Sequence, residues 1–389
     1  MFSHRTNWPL APNAFTRALE ELRASGKDIL DLTVSNPTEA GVHLDPEIVL
    51  GALLNPDAMR YDPQPRGLFE ARKAVCQYYR ESHDVFDLDP ERLVLTTSTS
   101  EAYSYVFRLL CNPGDEIFVP KPSYPLFEFL ADLADVKLVP YPLIYDHGWQ
   151  TDFDSLYKAA TAQSRAVIVV HPNNPTGSYV SAAETSALNA FCCDYGLALI
   201  VDEVFLDYAH DGAPRPSFAA NNNALTFTLS GISKISALPQ MKLAWLATTG
   251  PKAVVSQASA RLEIIADTFL SMNAPVQLAA PVLLEQRKHV QPILLDRLRV
   301  NLGELDRQLA ATPSCTRLNL EGGWYVVVRV PAVQSDEDLA IDLLRKMAVV
   351  VHPGHFYDFP SEGHLVLSLI TEPDAFHEGI TRLLRMVGH

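Results

Sequence analysis

Cysteine is scarce in this chain. Only five cysteines occur among 389 residues, and no two of them have the spacing of a metal site. An odd, small number of cysteines is typical of free thiols in a reducing compartment, so we predict a cytoplasmic protein without a metal centre. The chain also lacks an apolar run long enough to span a bilayer, and its N-terminus lacks the basic-then-apolar order of a signal peptide. We therefore predict that it has no membrane partner.

Positive charge is in deficit. Lysine and arginine total 31 against 46 aspartates and glutamates, which gives a formal net charge of −15. This balance disfavours nucleic acid and anionic membrane surfaces as partners. With 48% hydrophobic and 20% charged residues, the composition is ordinary for a globular protein. The length predicts two domains.

The chain contains a repeated alternation of strand and helix patterns. Residues 166–170 and 197–201 are apolar at every position, as in strands buried on both faces of a parallel sheet. Polar turns follow the predicted strands, and doubly wound sheets bind their ligands where the carboxyl ends of the strands meet. We therefore predict an α/β fold whose large domain has a mostly parallel, doubly wound sheet.

The two ends of the chain predict a second, smaller domain of α+β type. Residues 12–25 carry a helical apolar stripe, and residues 322–369 alternate short strands with turns before a closing helix. We therefore divide the chain into an N-terminal segment, residues 1–44, a large domain, residues 45–289, and a small C-terminal domain, residues 290–389. The N-terminal segment is expected to pack with the small domain.

Two lysines, Lys234 and Lys242, follow the apolar strand pattern of residues 225–229. Small residues precede Lys234, which lets a planar ring or a phosphate come close to the backbone. A lysine that loses water at the end of a buried strand is easily deprotonated, and it can condense with an aldehyde as a nucleophile. The alternative is a solvated lysine after a strand, and this stretch by itself does not choose between the two.

Two other strand ends carry candidate site residues. Asp202 follows the apolar run 197–201, where a carboxylate is unfavourable unless it meets a cation. The alternative is an aspartate at the surface or at a helix cap. Ser98-Thr99-Ser100 joins a strand to a helix, a geometry that presents free N–H groups to an anion. The same residues are also ordinary helix caps, and both interpretations can hold together.

The order of these pieces resembles the fold type I pyridoxal-phosphate enzymes, specifically the class I and II aminotransferase family, over nearly the whole chain. The resemblance implies that Lys234 forms the Schiff base with pyridoxal phosphate and moves the substrate proton. It further implies transfer of an amino group between an amino compound and a keto acid or aldehyde, and a homodimer with shared active sites. The alternative is a decarboxylase or lyase on the same scaffold, and a catalytically silent relative is a further one.

The resemblance also assigns roles around the cofactor. Asp202 pairs with the pyridinium nitrogen, Asn174 hydrogen-bonds the ring oxygen O3′, and Tyr124 stacks on the ring. The phosphate is held by a small turn at a helix start, by a serine before the Schiff-base lysine, by the basic residue eight positions after that lysine, and by a tyrosine that crosses the dimer interface. These residues are Ser98, Thr99, Ser100, Ser233, Lys242 and Tyr61. The resemblance leaves open whether Ser230 takes the place of Ser233.

Three positions depart from the pattern of the family. Lys242 stands where arginine is usual, and it cannot form the two parallel hydrogen bonds of a guanidinium. Phe205 stands beside the cofactor where a tyrosine hydroxyl usually meets O3′. Val366 stands where an arginine usually binds the substrate carboxylate. Phe205 and Val366 remove a donor that the family usually supplies, whereas Lys242 keeps a positive charge and loses only the two-fold contact.

Val366 leaves two hypotheses for the substrate. A buried carboxylate must be paired, and arginine suits this task through two parallel hydrogen bonds. Either the substrate lacks an α-carboxylate, which is the hypothesis that we favour, or another cation binds its carboxylate. Arg66 is the first candidate for that cation, followed by His364 and Arg5. Asn36, in a predicted turn, is a further candidate for substrate binding.

Overall fold

The computed structural model describes residues 1–388, and its helices and strands are numbered here in chain order. The helices are α1 (Ala14–Ala24), α2 (Pro46–Leu53), α3 (Phe69–His83), α4 (Thr99–Leu110), α5 (Phe127–Leu133), α6 (Phe153–Ala159), α7 (Ala182–Tyr195), α8 (Ile232–Ile235), α9 (Lys252–Phe269), α10 (Ala274–Glu285), α11 (Arg287–Leu309), α12 (Asp336–Asp342) and α13 (Pro373–Val387). The strands are β1 (Leu30–Asp31), β2 (Leu93–Thr96), β3 (Glu116–Lys121), β4 (Lys137–Tyr145), β5 (Trp149–Thr151), β6 (Ser164–Val170), β7 (Ala198–Asp202), β8 (Thr226–Gly231), β9 (Ala244–Thr249), β10 (Thr316–Arg317), β11 (Tyr325–Arg329), β12 (Val349–Val350), β13 (His352–Pro353) and β14 (His364–Ser368).

The central sheet has the strand order β2-β9-β8-β7-β6-β3-β4-β5. Strands β8, β7, β6, β3 and β4 run parallel to one another. Strands β9 and β5 are antiparallel to their neighbours, so β2 again points in the same direction as β8. The predicted α/β fold with a large, mostly parallel sheet is therefore confirmed.

Strands β6 and β7 are apolar at almost every position because helices cover both faces of the sheet. Val167 and Leu199 pack in one cluster with residues of α7. Ile168 and Ile200 point to the opposite face and pack with residues of α4 and α9. This alternation follows from the two-residue period of a strand, and it explains why these runs carry no polar face.

The two ends of the chain meet in one apolar cluster. This cluster combines Phe15 and Leu22 of α1 with residues of α11, β11, β14 and α13. A four-stranded antiparallel sheet in the order β10-β11-β14-β13 lies within this part of the chain, and β1 pairs with β12 in parallel. The domain limits at residues 44/45 and 289/290 stay a prediction, and α11 runs across the second of them.

Five strands that point in the same direction bring distant parts of the chain to one edge of the central sheet. Lys234 follows β8, Asp202 ends β7, Asn174 follows β6, Tyr124 follows β3 and Ser98 follows β2. Because the carboxyl ends of such strands lie at the same edge, these residues converge there. Separately, within residues 1–388 no helix combines the length and the apolar character that crossing a membrane requires.

Candidate active site

Lys234 lies on α8, a single helical turn directly after β8. Its Nζ donates a hydrogen bond to the backbone carbonyl of Ser35 at 3.1 Å. The same nitrogen lies 4.8 Å from the centre of the Trp324 ring and 5.7 Å from that of Phe205. Burial lowers the pKa of Lys234 to about 8. The amine can therefore lose its proton near neutral pH, as a nucleophile or general base requires.

Among residues 1–388, Asp202 accepts hydrogen bonds from neutral donors only. Its carboxylate accepts hydrogen bonds from the Tyr103 hydroxyl at 3.2 Å and from the Val204 amide at 3.1 Å. Burial raises the pKa of Asp202 to about 6. A cation next to a carboxylate in this position would stabilise its charged form. Asp202 is thus suited to a protonated ring nitrogen.

Asn174 is buried, and its side-chain oxygen has no hydrogen-bond partner among the described residues. The neighbouring Asn173 is different, because its amide donates to the Pro122 carbonyl at 3.1 Å and to Thr176 Oγ1 at 2.9 Å. A buried polar atom without a partner costs about 1–3 kcal/mol. Asn173 therefore holds the loop together, whereas Asn174 is available to a ligand.

The start of α4 is consistent with both interpretations of its sequence, an ordinary helix cap and an anion-binding turn. Ser98 is the N-cap, and its hydroxyl accepts a hydrogen bond from the Glu101 amide at 3.2 Å. The amides of Thr99 and Ser100 lie in the first turn, where no intrahelical acceptor exists, so they are suited to an anion. Lys242 is exposed and adopts a left-handed backbone conformation with φ 53°. It offers a charge that can approach such an anion.

The two serines before Lys234 differ in their surroundings. Ser230 is buried, and its hydroxyl donates to the Glu203 carbonyl at 3.4 Å. Ser233 is partly exposed. The hydroxyl of Ser230 is thus already engaged within the sheet.

Two predicted aromatic residues have exposed rings. Tyr124 is 45% exposed, and its ring packs edge-on against Phe127 at 6.5 Å. Tyr61 is 83% exposed and lines a cavity of about 470 Å³ together with Met59 and Gln277. Lys234 is not among the residues that line this cavity. The prediction that Tyr61 serves a partner subunit therefore stays open.

Arg66 and Asn36 are engaged within the chain. Arg66 forms ion pairs with Glu263 at 2.6 Å and with Glu91 at 3.2 Å. The side-chain oxygen of Asn36 accepts hydrogen bonds from the amide and the hydroxyl of Thr38. Both residues stay predictions as substrate ligands, and Arg66 must release a glutamate to act as one.

The other residues named for the substrate are also accounted for. Val366 is fully buried in the small antiparallel sheet. His364 Nδ1 lies 3.0 Å from the Ser361 carbonyl, and the ring of His364 stacks on Phe359. Arg5 pairs with Asp135. Neither His364 nor Arg5 is a free cation in this structure.

Several residues next to Lys234 and Asp202 escaped the sequence analysis. Tyr103, Ser35 and Trp324 lie far in sequence from the residues that they contact, and reach them only through the fold. Gly322 and Gly323, directly before Trp324, were a usable signal, because adjacent glycines indicate a close approach of the backbone to other groups. Tyr103 gave no such signal.

Comparison with known proteins agrees with this geometry. Residues 27–376 match the family model of aminotransferase class I and II, so the chain belongs to that family. It is 28% identical over 374 residues to glutamate-pyruvate aminotransferase AlaA of Haemophilus influenzae, which covers 94% of this chain and 92% of the relative. It is also 28% identical over 362 residues to alanine aminotransferase of Mycobacterium tuberculosis, with 90% and 83% covered.

A solved structure shows the same fold. Alanine aminotransferase from Pyrococcus furiosus superposes with a TM-score of 0.88 at 23% identity, over 99% of both chains. The predicted resemblance and the predicted aminotransferase activity are thus confirmed: the protein is an aminotransferase, in a family whose members depend on pyridoxal phosphate.

Proposed function

We propose that this aminotransferase binds pyridoxal phosphate at the carboxyl edge of the central sheet, with Lys234 as the residue that bonds it covalently. The residues present fit the group. Asp202 is a partly buried carboxylate whose donors among residues 1–388 are neutral, the buried side-chain oxygen of Asn174 has no partner among these residues, and Lys234 has a lowered pKa. The observation that carries the proposal is the carboxylate of Asp202, because a partly buried anion with only neutral donors among the described residues is stabilised by a cationic partner.

Each residue has a part in the chemistry. When bound, pyridoxal phosphate supplies an electron sink. The carboxylate of Asp202 stabilises a positive charge next to it, and the Tyr103 hydroxyl orients that carboxylate. Lys234 has a pKa of about 8, so it can take a proton from the substrate and return it. The reaction moves an amino group from an amino compound to a keto acid or aldehyde.

The phosphate is proposed to bind at the start of α4. The amides of Thr99 and Ser100 supply hydrogen-bond donors at the positive end of the helix dipole. Ser233 is the preferred serine, because Ser230 donates to a backbone carbonyl. Lys242 supplies a point charge rather than the two-pronged contact of an arginine. Tyr124 is proposed to cover the face of the ring.

A homodimer is proposed as the functional unit, with Tyr61 reaching the phosphate of the partner subunit. Leu54, Met59 and Leu270 expose apolar surface, and the last two line the same cavity as Tyr61. Contiguous exposed apolar surface of this kind is typical of a protein interface. We expect sedimentation at twice the monomer mass, and a monomeric holoenzyme at micromolar concentration would contradict the proposal.

Borohydride reduction tests the role of Lys234. The purified protein should be yellow, and reduction followed by peptide mapping should find the cofactor on Lys234. The Lys234→Ala variant should fold but capture no cofactor, whereas Lys242→Ala should keep the label and bind the cofactor more weakly. Label on Lys242 in the unmodified protein would reverse the assignment of the two lysines.

Product analysis tests the reaction type. Single turnovers with a panel of amines and amino acids should yield the matching keto product and leave the amino group on the cofactor. Release of carbon dioxide, or loss of a β- or γ-substituent, would instead indicate the decarboxylase or lyase alternative.

A further inference from the structure

One face of the small antiparallel sheet places an imidazole next to the buried Val366. Residues in register on antiparallel strands point to the same face. Val366 on β14 lies opposite Val327 on β11 and opposite His352 on β13. On the same face, two residues further along each strand, Tyr325 lies opposite Ser368. Polar groups thus flank the apolar position on two sides.

The imidazole of His352 contacts a second tyrosine, Tyr357. His352 Nδ1 lies 3.0 Å from the hydroxyl of Tyr357, which is in the short 3₁₀ turn Gly354–Tyr357 after β13. Burial lowers the pKa of His352 and raises that of Tyr357. Both groups are therefore neutral at pH 7. When Nδ1 of His352 carries the ring proton and donates to the Tyr357 oxygen, the Tyr357 hydroxyl keeps its own proton and is a neutral donor in a fixed position.

Tyr357 lies next to the loop that carries Tyr124. The amide of Ser123 donates to the Tyr357 carbonyl at 2.9 Å. An ion pair of 2.8 Å between Lys121 and Asp358 reinforces the same junction. These contacts connect the carboxyl end of β3 to the turn after β13. The backbone of Tyr357 is thereby fixed relative to the edge of the central sheet where Lys234 lies.

Tyr325 approaches Lys234 from the other side. Its ring lies 6.1 Å from that of Phe205, whose centre is 5.7 Å from Lys234 Nζ. The hydroxyl of Tyr325 lies beside Ser35, and the carbonyl of Ser35 accepts the hydrogen bond of Lys234. Tyr325 and Lys234 are therefore both neighbours of Ser35.

Two basic groups near this sheet are engaged elsewhere. Lys121 is paired with Asp358. Arg329, at the far end of β11, is exposed and lies over the ring of Tyr145. A substrate carboxylate at Val366 therefore meets hydroxyl groups and apolar side chains rather than a guanidinium.

We propose that the hydroxyls of Tyr357 and Tyr325 bind an oxygen acceptor of the substrate, and that the enzyme selects amino compounds with at most one carboxylate. His352 is the positioning residue, because it acts through Tyr357. The inference rests on the proposed function, since it places the substrate beside Lys234. Neutral donors can satisfy one carboxylate, carbonyl or hydroxyl oxygen. The two hydroxyls are then used, so a second carboxylate would be a buried charge with neither a hydrogen-bond donor nor a cation, which is strongly unfavourable.

Two unreactive ligands of equal chain length test this selectivity. Pentanoate carries one carboxylate and glutarate carries two, and calorimetric titration of the cofactor-loaded protein gives both dissociation constants. We expect pentanoate to bind at least about tenfold more tightly than glutarate, and Tyr357→Phe to weaken pentanoate roughly tenfold, the effect of one lost hydrogen bond to a charged group. Equal or tighter binding of glutarate, no measurable binding of pentanoate, or an unchanged Tyr357→Phe affinity would overturn the proposal.

A matched control separates the site from general effects. Tyr179 is also buried, and its hydroxyl donates to the Leu206 carbonyl at 3.1 Å. Tyr179→Phe loses the same group and should leave the affinity for pentanoate unchanged. If both variants weaken binding equally, the loss is not specific to Tyr357 and the proposal fails.

The role of His352 requires a double-mutant cycle. His352→Leu should weaken pentanoate, whereas His352→Asn, which keeps a polar atom near the position of Nδ1, should restore part of the affinity. In the Tyr357→Phe background His352→Leu should add nothing, because the two residues act as one unit. Full additivity would contradict a positioning role. Borohydride reduction of the same samples distinguishes the two proposals. If the cofactor is not captured on Lys234, the proposed function is refuted. If capture is normal but the affinities for pentanoate do not change, only this inference is refuted.

Discussion

The hydroxyl of Tyr103 donates a hydrogen bond to Asp202 at 3.2 Å, and this contact connects α4 to the end of β7. Tyr103 lies about one helical turn after Thr99 and Ser100, whose amides are the proposed phosphate donors. One rigid helix therefore positions both the phosphate end of the site, through its N-terminus, and the ring-nitrogen end, through a side chain. A ligand that contacts both ends is held by a single element.

Replacing Asp202 should remove the counter-charge of the ring. We expect Asp202→Ala to lower turnover by at least ~10²-fold, the scale found when electrostatic stabilisers are removed. Steady-state rates with the best amino donor measure the effect. Glu203→Gln is the control, because the buried Glu203 accepts hydrogen bonds from Ser217 and from the Phe218 amide. That variant should lose stability more than turnover, and near-normal turnover of Asp202→Ala would contradict the assigned role.

A hydroxyl at position 205 should change the titration of the bound cofactor. Phe205 is buried and its ring neighbours Lys234 Nζ. Phe205→Tyr adds a donor that favours the more negatively charged form of a nearby oxygen, so the pH midpoint of the visible absorbance band should move to lower pH. Spectra of the loaded protein across a pH series measure this midpoint. An unchanged midpoint would mean that position 205 does not face the ring oxygen.

An arginine at position 366 should create affinity for dicarboxylates. Val366 is fully buried, so Val366→Arg should also lower the free energy of unfolding by roughly 1–3 kcal/mol through overpacking. We expect glutarate to bind at least about tenfold more tightly to the loaded variant than to the unmodified protein. Val366→Leu controls for size without charge. If neither variant changes glutarate binding, position 366 does not face the ligand.

Single-turnover spectra should show which substrates react. We expect amino acids with one carboxylate, and their decarboxylated amines, to react faster than glutamate and aspartate. Arg66 is already paired with Glu91 and Glu263, so Arg66→Ala should leave these rates nearly unchanged. If Arg66→Ala abolishes the reaction of amino acids but not of amines, Arg66 is the relocated carboxylate ligand. Reaction of amines alone would instead support a substrate without an α-carboxylate.

His171 should make the protein less stable in acid. It is buried, its Nδ1 accepts a hydrogen bond from the Val180 amide, and burial lowers its pKa to about 4. The unfolded chain takes up a proton at this residue below pH ~6.5, and the folded protein does not do so until pH ~4. The contribution of His171 to stability is thus present above pH ~6.5 and is lost as the pH falls toward 4.

The removal of His171 tests that contribution. His171→Asn keeps an acceptor but cannot titrate, so its unfolding free energy in urea should fall less between pH 7 and pH 4.5 than that of the unmodified protein. The difference should be on the order of 3 kcal/mol. His43 is exposed, and His43→Asn should leave the slope unchanged. Parallel pH profiles for all three proteins would show that His171 is not the source.

The tertiary structure decided which polar side chains remain available. Arg66 looked free in the sequence, yet its partner Glu263 lies 197 residues away. Asp202 accepts a hydrogen bond from the hydroxyl of Tyr103, 99 residues away, and no local pattern distinguished Tyr103 from Tyr105, the other tyrosine of α4. His352 and Val366 are neighbours only because β13 pairs with β14. Contacts between distant segments depend on strand order in space, which a hydrophobic pattern does not encode.

The sequence by itself determined the class of fold and the strand ends at which site residues occur. Strands β6 and β7 must be apolar because both of their faces are covered, and this makes them visible as continuous runs. Asp202 was visible because a polar residue at the end of such a run is costly without a partner, whereas Asn174 was assigned only through the resemblance to the family. The order β8-β7-β6-β3 brings Lys234 and Tyr124 to the same edge, and only the folded sheet decided that order because it is not the order of the chain.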